Sequence, residues 1–162
     1  MAGPSNLSHM AVRRIQHELN EWLTSGGLEG FMLEDCEPLD VWRIMMAGPE
    51  GGARLYEGEA FRIQITFAQN YPMEPPEVIF LPDVPVHPHI YSNGHICLDI
   101  LYDGRDGGWS PALTVNKICL SLQSMLASNT DKSKPPGDQE YCRRMKGRSP
   151  KLTSWAFHDH RC

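Results

Sequence analysis

His87-Pro88-His89-Ile90-Tyr91-Ser92-Asn93-Gly94-His95-Ile96-Cys97-Leu98 is the stretch on which the reading of this chain turns. Three histidines and one cysteine fall within eleven residues, Pro88 fixes the backbone, and Asn93-Gly94 signals a turn. Neither solubility nor a helical face requires that combination. A cysteine in a rigid, polar, turn-rich segment is a candidate nucleophile, whereas most intracellular cysteines are buried and inert. Three chemistries compete for the cluster. His87, His89, His95 and Cys97 have the side chains of a zinc site, but two of the ligand pairs have only one residue between them, closer than the spacings that let a turn wrap the ion. Cys97 with a histidine could form a protease-like pair, for which no local signature is present. In the third reading Cys97 is an acyl-carrying nucleophile without a strong dedicated base. A thiol with a pKa near 8.5 is already partly thiolate at neutral pH, and exchange between thioesters needs little further activation.

The rest of the chain bounds the answer. Its 162 residues suit one domain with a hydrophobic core and short ragged ends. Apolar residues make up 41% and charged residues 22%, a globular rather than disordered composition. The net charge of −5 argues against a general binder of nucleic-acid backbones and leaves protein or small-molecule partners open. Cysteines at 36, 97, 119, 142 and 162 are odd in number and irregular in spacing, which reads as reduced thiols in a reducing compartment. No apolar run approaches the length of a membrane span. Residues 1–9 read as a flexible leader or an expression remnant.

Periodicity divides the remainder. Val12, Ile15, Leu19, Trp22 and Leu23 recur at helical spacing from Met10 to Ser25, with Ser8 as N-cap and Gly26-Gly27 as the stop. Arg13, Arg14, His17, Glu18 and Glu21 take the opposite face, expected to be solvated or to dock a partner. Val41–Met46, Phe61–Phe67 and Glu77–Leu81 read as strands joined without an intervening helix, and so as an antiparallel meander. About thirty residues without periodicity follow, a length that signals a functional loop. A second helix starts after Thr114 and turns Val115, Ile118, Cys119, Leu122, Met125 and Leu126 to the core. Cys119 reads there as a small hydrophobe. A short helix is expected over Gln139–Lys146, and the tail from Gly147 to Cys162 is basic, then aromatic.

His87-Pro88-His89 followed seven residues later by Cys97, with Tyr71-Pro72-x-x-Pro75-Pro76 upstream and Trp109-Ser110-Pro111-Ala112 downstream, resembles the ubiquitin-conjugating enzymes. The likeness runs from about Met10 to Met145. It implies an α+β fold: an N-terminal helix, a four-stranded antiparallel meander, an active-site loop, a central helix and short C-terminal helices. The implied domain is 10–146, with 147–162 as a tail. The implied reaction loads the C-terminal carboxyl of ubiquitin onto Cys97 from the thioester of an activating enzyme, which spends ATP upstream. A substrate amine then attacks, usually with a ligase bound. Positioning matters more here than acid–base power. The resemblance implies no cofactor and no metal. Its implied partners are ubiquitin, the activating enzyme, RING or U-box ligases and protein substrates, without nucleic acid or membrane, in the cytoplasm and nucleus. Two readings from other classes are an enzyme for a different ubiquitin-like modifier and a non-catalytic adaptor; the presence of Cys97 counts against the adaptor.

Most members have Asn at the third position of His-Pro-Asn, where this chain has His89. An imidazole there serves either as an oxyanion donor with pH dependence or as a shaper of the loop. His-Pro-His resembles the W class, which attaches ubiquitin to substrate α-amino groups. Lys132-Ser133-Lys134-Pro135-Pro136 and the ending Trp155-Ala156-Phe157-His158-Asp159-His160-Arg161-Cys162 also resemble that class. An α-amine with a pKa near 7.7–8.0 is substantially neutral and needs less help from a neighbouring acid than a lysine near 10.4. The acidic position usual after the central helix falls near Ser133, with Asp131 as a displaced substitute, while Asp99 matches the lysine-directed members better. The catalytic set carried over is therefore Cys97, His89, His87 and Asp99, with His87 mainly structural. The loop Tyr102–Gly108 is longer than the family minimum and reads as a tolerated surface loop or as an insertion that touches the active site. Partner contacts carried over are Arg14, His17, Met73, Ser110, Pro111 and Ala112.

Overall fold

The computed structural model describes residues 6–157. Helix α1 spans His9–Ser25 and opens as the sequence requires: the Ser8 hydroxyl accepts the Ala11 N–H at 3.1 Å. It ends where Gly26 takes a left-handed φ of 81°. Ala11, Ile15 and Trp22 are buried, but Leu23, at helical spacing with them, is exposed. Glu18 makes the larger departure. Expected on a solvated face, it is only 6% exposed, because the Tyr71 hydroxyl and the Val115 N–H close over it as hydrogen-bond donors.

Strands β1 Phe31–Asp35, β2 Val41–Ala47, β3 Ala60–Thr66 and β4 Glu77–Phe80 form one antiparallel sheet in the order β1-β2-β3-β4, the expected meander. Its register sets Ile44 against Ile63 and Ile63 against Phe80, so one face is a continuous apolar layer of Trp42, Ile44, Met46, Phe61, Ile63, Ile65, Val78 and Phe80. The β1 edge shifts register between Leu33 and Asp35, a bulge that shortens the pairing strand. Helix α2, Val115–Ala127, is capped by Thr114 and buries Val115, Ile118, Cys119, Leu122 and Leu126 in the same core. Burial pushes the Cys119 thiol up to about 12, so it is an inert core group as expected.

Helix α3, Asp138–Arg144, follows the Pro135-Pro136-Gly137 break, and one-turn 3-10 segments lie at Asp99–Leu101 and Pro150–Leu152. No helix among the described residues is long and apolar enough to cross a membrane. Residues 1–5 and 158–162, which include part of the expected leader and the end of the tail, lie outside the described residues.

Candidate active site

The quoted stretch folds as a loop pinned to the sheet. Tyr91 to Gly94 make a tight turn in which the Asn93 side chain accepts the His95 N–H at 3.1 Å. Gly94 stands at φ 90°, and a Cβ there would lie 1.9 Å from the Phe80 carbonyl. Only glycine allows that approach, which lets the Gly94 carbonyl accept the Phe80 N–H at 3.0 Å and fasten the loop to the end of β4. Ile90 and Ile96 bridge and are fully buried beneath it.

Cys97 follows directly. The peptide group between Ile96 and Cys97 is held on both sides: the Cys97 N–H donates to the His89 carbonyl at 2.8 Å, and the Ile96 carbonyl accepts the Tyr102 hydroxyl at 2.6 Å. Tyr102 is a site residue that the sequence reading missed. It opens the long loop, whose return is also fixed, since Trp109 N–H donates to the Tyr102 carbonyl and Gly108 N–H to the Asp99 carbonyl. The Tyr102–Gly108 insertion is thus anchored beside Cys97, with Asp103 to Asp106 exposed at its tip. Asp99 lies exposed in the 3-10 turn, and its carboxylate accepts the Ile100 N–H.

Cys97 is buried, and its sulfur is in a disulfide. Both features depart from the expectation of a presented, reduced nucleophile. Cys36, Cys119 and Cys142 are free thiols, as expected.

His87 is hydrogen-bonded through both ring nitrogens. The His89 N–H donates to its Nδ1 at 2.9 Å, so the proton resides on Nε2, which donates to the Met125 carbonyl at 3.2 Å. With both ring nitrogens used, His87 has none left for zinc. The His95 ring lies against the Tyr141 hydroxyl at 2.8 Å. No group of three or more His, Cys, Asp or Glu among the described residues could hold a metal ion. Burial pushes the His87 pKa down to about 4, and the His89 charge adds to that shift. Burial likewise lowers His89 and His95.

The sign of the pH effect follows. Between about pH 6.5 and 4 the unfolded chain protonates His87 while the folded chain does not, so stability falls as pH drops through that window. The loss from this one imidazole should approach about 3 kcal/mol at the acid end. Urea midpoints measured from pH 7 to 4 should fall steadily, and His87→Gln should flatten the profile while lowering its neutral-pH value.

The expected partner residues come together around Glu18. Its carboxylate accepts the Tyr71 hydroxyl, the Val115 N–H at 2.7 Å and the Arg14 guanidinium at 3.0 Å. Arg14 also donates to the Leu113 carbonyl, and the Trp109 indole donates to the Pro72 carbonyl, both at 2.8 Å. These bonds join α1, the Tyr71–Glu74 turn and the Ser110–Leu113 turn into one surface. On it Met73 is 62% exposed, and His17, Ser110, Pro111 and Ala112 are exposed as well. Burial and the Glu18 carboxylate raise the Tyr71 phenol, which stays protonated as the donor.

A family model for ubiquitin-conjugating enzymes matches residues 14–155. The chain belongs to the ubiquitin-conjugating enzyme family. It is 49% identical over 154 residues to the probable ubiquitin-conjugating enzyme E2 16 of Arabidopsis thaliana, covering 94% of this chain and 91% of the relative. It is 46% identical over 148 residues to the probable ubiquitin-conjugating enzyme E2 W of Dictyostelium discoideum, covering 91% and 95%. Among solved structures, the ubiquitin-conjugating enzyme UbcA1 of Agrocybe aegerita matches with a TM-score of 0.76 at 39% identity, covering 86% of this chain and 96% of that one. This ubiquitin-conjugating enzyme is a transferase of the W class, and its family works with ubiquitin, an activating enzyme and ligases.

Proposed function

We propose that Cys97, once reduced, carries ubiquitin as a thioester and passes it preferentially to substrate α-amino groups. The clamp on the Ile96–Cys97 peptide is the observation that carries the reading. It fixes the backbone of the nucleophile from two sides, so that the acyl group depends on positioning rather than on a dedicated base. His89 spends its backbone N–H on His87 and its carbonyl on Cys97, and its ring, edge-on to His87 at 5.4 Å, is assigned to the reacting centre. Its lowered pKa keeps that ring neutral at pH 7, a single N–H donor for the oxyanion formed when the amine attacks. Asp99, in the exposed turn just after Cys97, is assigned to orienting the incoming amine.

The preference for α-amines is supported by the segment after α2. Where lysine-directed members have an acidic loop, Lys132 reaches Glu59 and Lys134 reaches the Ser92 hydroxyl, while Ser133 donates to Asp131. The acidic function there is reduced to one carboxylate already occupied by a hydroxyl. An α-amine, substantially neutral at pH 7, has less need of it. The surface of Arg14, His17, Met73 and Ser110–Ala112 is assigned to RING or U-box ligases and the activating enzyme. Met73 gives it an adaptable apolar point. The conjugating domain is assigned to 10–146, with 147–162 as its tail.

The test is charging of the reduced enzyme with activating enzyme, Mg-ATP and ubiquitin, in a phosphine that spares thioesters. A thiol-labile adduct is expected with ubiquitin. Charging only with another ubiquitin-like modifier would overturn the assignment. The charged enzyme is then offered one peptide with a free N-terminus and blocked lysines, and a second with the blocks reversed. Mass spectrometry should find ubiquitin on the first; efficient transfer to the second would defeat the α-amine preference.

A further inference from the structure

Charge is unevenly placed along this chain. The whole sequence carries −5, yet residues 131–151 contain seven Lys or Arg against three Asp or Glu, a net of +4. Three of the seven are paired: Lys132 with Glu59, Lys151 with Glu74 and Arg143 with Glu140. Lys134 meets the Ser92 hydroxyl at 2.6 Å, beside Asp138. Arg144, Lys146 and Arg148 are exposed, and among the described residues no carboxylate lies within ion-pair distance of them. They form a basic rim from the last turn of α3 to the turn before Pro150–Leu152.

The rim is fixed near the nucleophile. Tyr141 of α3 stacks on Tyr91 at 3.9 Å, and its hydroxyl meets the His95 ring at 2.8 Å. The Arg148 main chain lies beside the same ring. His95 is two residues before Cys97, at most about 7 Å of chain. Arg144 lies over the Tyr141 ring, 5.7 Å from its centroid, which holds that charge against the active-site loop. The far end is braced as well: the Trp155 indole N–H donates to the Pro150 carbonyl at 3.0 Å, its ring lies 5.8 Å from Tyr141, and Phe157 stacks on Tyr102 at 5.9 Å. The cations therefore stand on a fixed backbone, and meeting an anion costs them side-chain freedom only. The segment that leads away from Cys97 has the opposite sign, with Asp99, Asp103 and Asp106 exposed against one cation, Arg105. A chain that begins with an ammonium and continues with carboxylates matches that polarity.

We propose that this rim reads acidic residues a short way behind the N-terminus of the acceptor protein, so that ubiquitin goes preferentially to α-amines followed by an acidic segment. The proposal rests on the α-amine preference set out above. The amine approaches Cys97 where Asp99 stands, and the next few residues, each reaching about 3.3 Å, bring their carboxylates to Arg144, Lys146 and Arg148. A nucleic-acid backbone fits less well. Three cations on one short segment match a few carboxylates, and the rest of the chain, at −9 once the +4 of this segment is taken from −5, repels a long polyanion. Each contact is exposed and individually weak, so recognition comes from several acting together and is screened by salt.

The experiment uses the full chain, charged with ubiquitin and then freed of ATP, in single-turnover discharge. Three lysine-free peptides share a free N-terminus and differ only in a downstream block of glutamate, glutamine or arginine. At low salt the glutamate peptide should discharge the enzyme about tenfold faster than the glutamine peptide, and the advantage should vanish at high salt. Arg144→Glu, Lys146→Glu and Arg148→Glu together should reverse the order and favour the arginine peptide. Lys146→Glu with Arg148→Glu, which spares the ring contact of Arg144, should reverse it in part. Both variants should charge like the parent and discharge to diglycine like the parent, which a general loss of fold would not allow. Equal rates for the three peptides would overturn the proposal, as would a glutamate preference that survives in the triple variant. Indifference to peptide charge, with a short DNA duplex bound by the parent and lost by the triple variant, would assign the rim to nucleic acid instead. If diglycine and all three peptides fail to discharge the parent while free lysine succeeds, the α-amine reading itself has failed and the rim proposal falls with it.

Discussion

Cys97→Ser is expected to remove the thiol-labile ubiquitin adduct entirely and to leave, at most, a slowly formed adduct that resists reductant. A serine hydroxyl in the same position keeps the shape of the loop and the clamp from His89 and Tyr102, since both bonds are to backbone atoms. What changes is the nucleophile. A thiol is partly ionised near neutral pH and its thioester stays reactive to amines, whereas a hydroxyl is un-ionised and its ester is a poor acyl donor. Transfer to an amine should drop by roughly a thousand-fold or more, the scale on which losing an enzyme's nucleophile is felt. The measurement is single-turnover discharge to a peptide amine, with and without reductant in the gel buffer. Cys36→Ser is the control, because Cys36 is a free thiol beside the β1 edge and should leave charging unchanged. A reducible adduct surviving in Cys97→Ser would move the carrier to another cysteine.

The residues that carry this argument were unequally legible in sequence. The helices α1 and α2, their caps and the three strongly patterned strands could be read directly, because each buries one face at a fixed period. Phe31–Asp35 could not. It is an edge strand with a bulge whose exposure alternates, but apolar Met32 takes an exposed place between Phe31 and Leu33, so the residue types do not. The fourth strand came only with the family resemblance. Tyr102 was missed for a different reason. Its partner is the carbonyl of Ile96, and a backbone acceptor leaves no mark on composition or spacing. The docking of Trp155 and Phe157 was invisible likewise, since the platform of Tyr91, Tyr102 and Tyr141 is assembled from three separate segments. The histidines were legible as a cluster but not as individuals. Only the bonds from the His89 N–H to His87 Nδ1 and from His87 Nε2 to the Met125 carbonyl show that this one imidazole is spent on the loop.

Position along the chain also explains why two loops and a helix end as one surface. Met73 and Ser110–Ala112 lie far apart in sequence, and nothing local would bring them to α1. The bond from the Trp109 indole to the Pro72 carbonyl ties the first loop to the second, and the bond from Arg14 to the Leu113 carbonyl ties the second to the helix. The exposed side chains are then free to meet a partner, because the framework is made by residues that face inward. The surface proposed for partners depends on the buried groups beneath it.

Glu18 is the most consequential of those groups, and Glu18→Ala should cost about 3–5 kcal/mol of folding stability. The carboxylate is an acceptor for three donors that have no water to fall back on to the same degree. The Tyr71 hydroxyl is fully enclosed, the Val115 N–H is an orphan donor at the start of α2, and Arg14 is mostly covered. The start of a helix also favours negative charge, so the loss is electrostatic as well as a loss of hydrogen bonds. Alanine removes the acceptor and leaves the donors in place, the most costly way to break a buried network. Glu18→Gln keeps the volume and one acceptor oxygen but puts an amide donor against Tyr71 or Val115, and it should cost about half as much. Urea unfolding checks both values. Hydrogen exchange supplies the readout that a general loss of stability would not mimic: under native conditions the amides of Val115 and of the Ser110–Leu113 turn should exchange faster by a larger factor than those of β2 and β3. Uniform acceleration across the chain would mean that Glu18 only stabilises the fold and does not specifically hold the partner surface together.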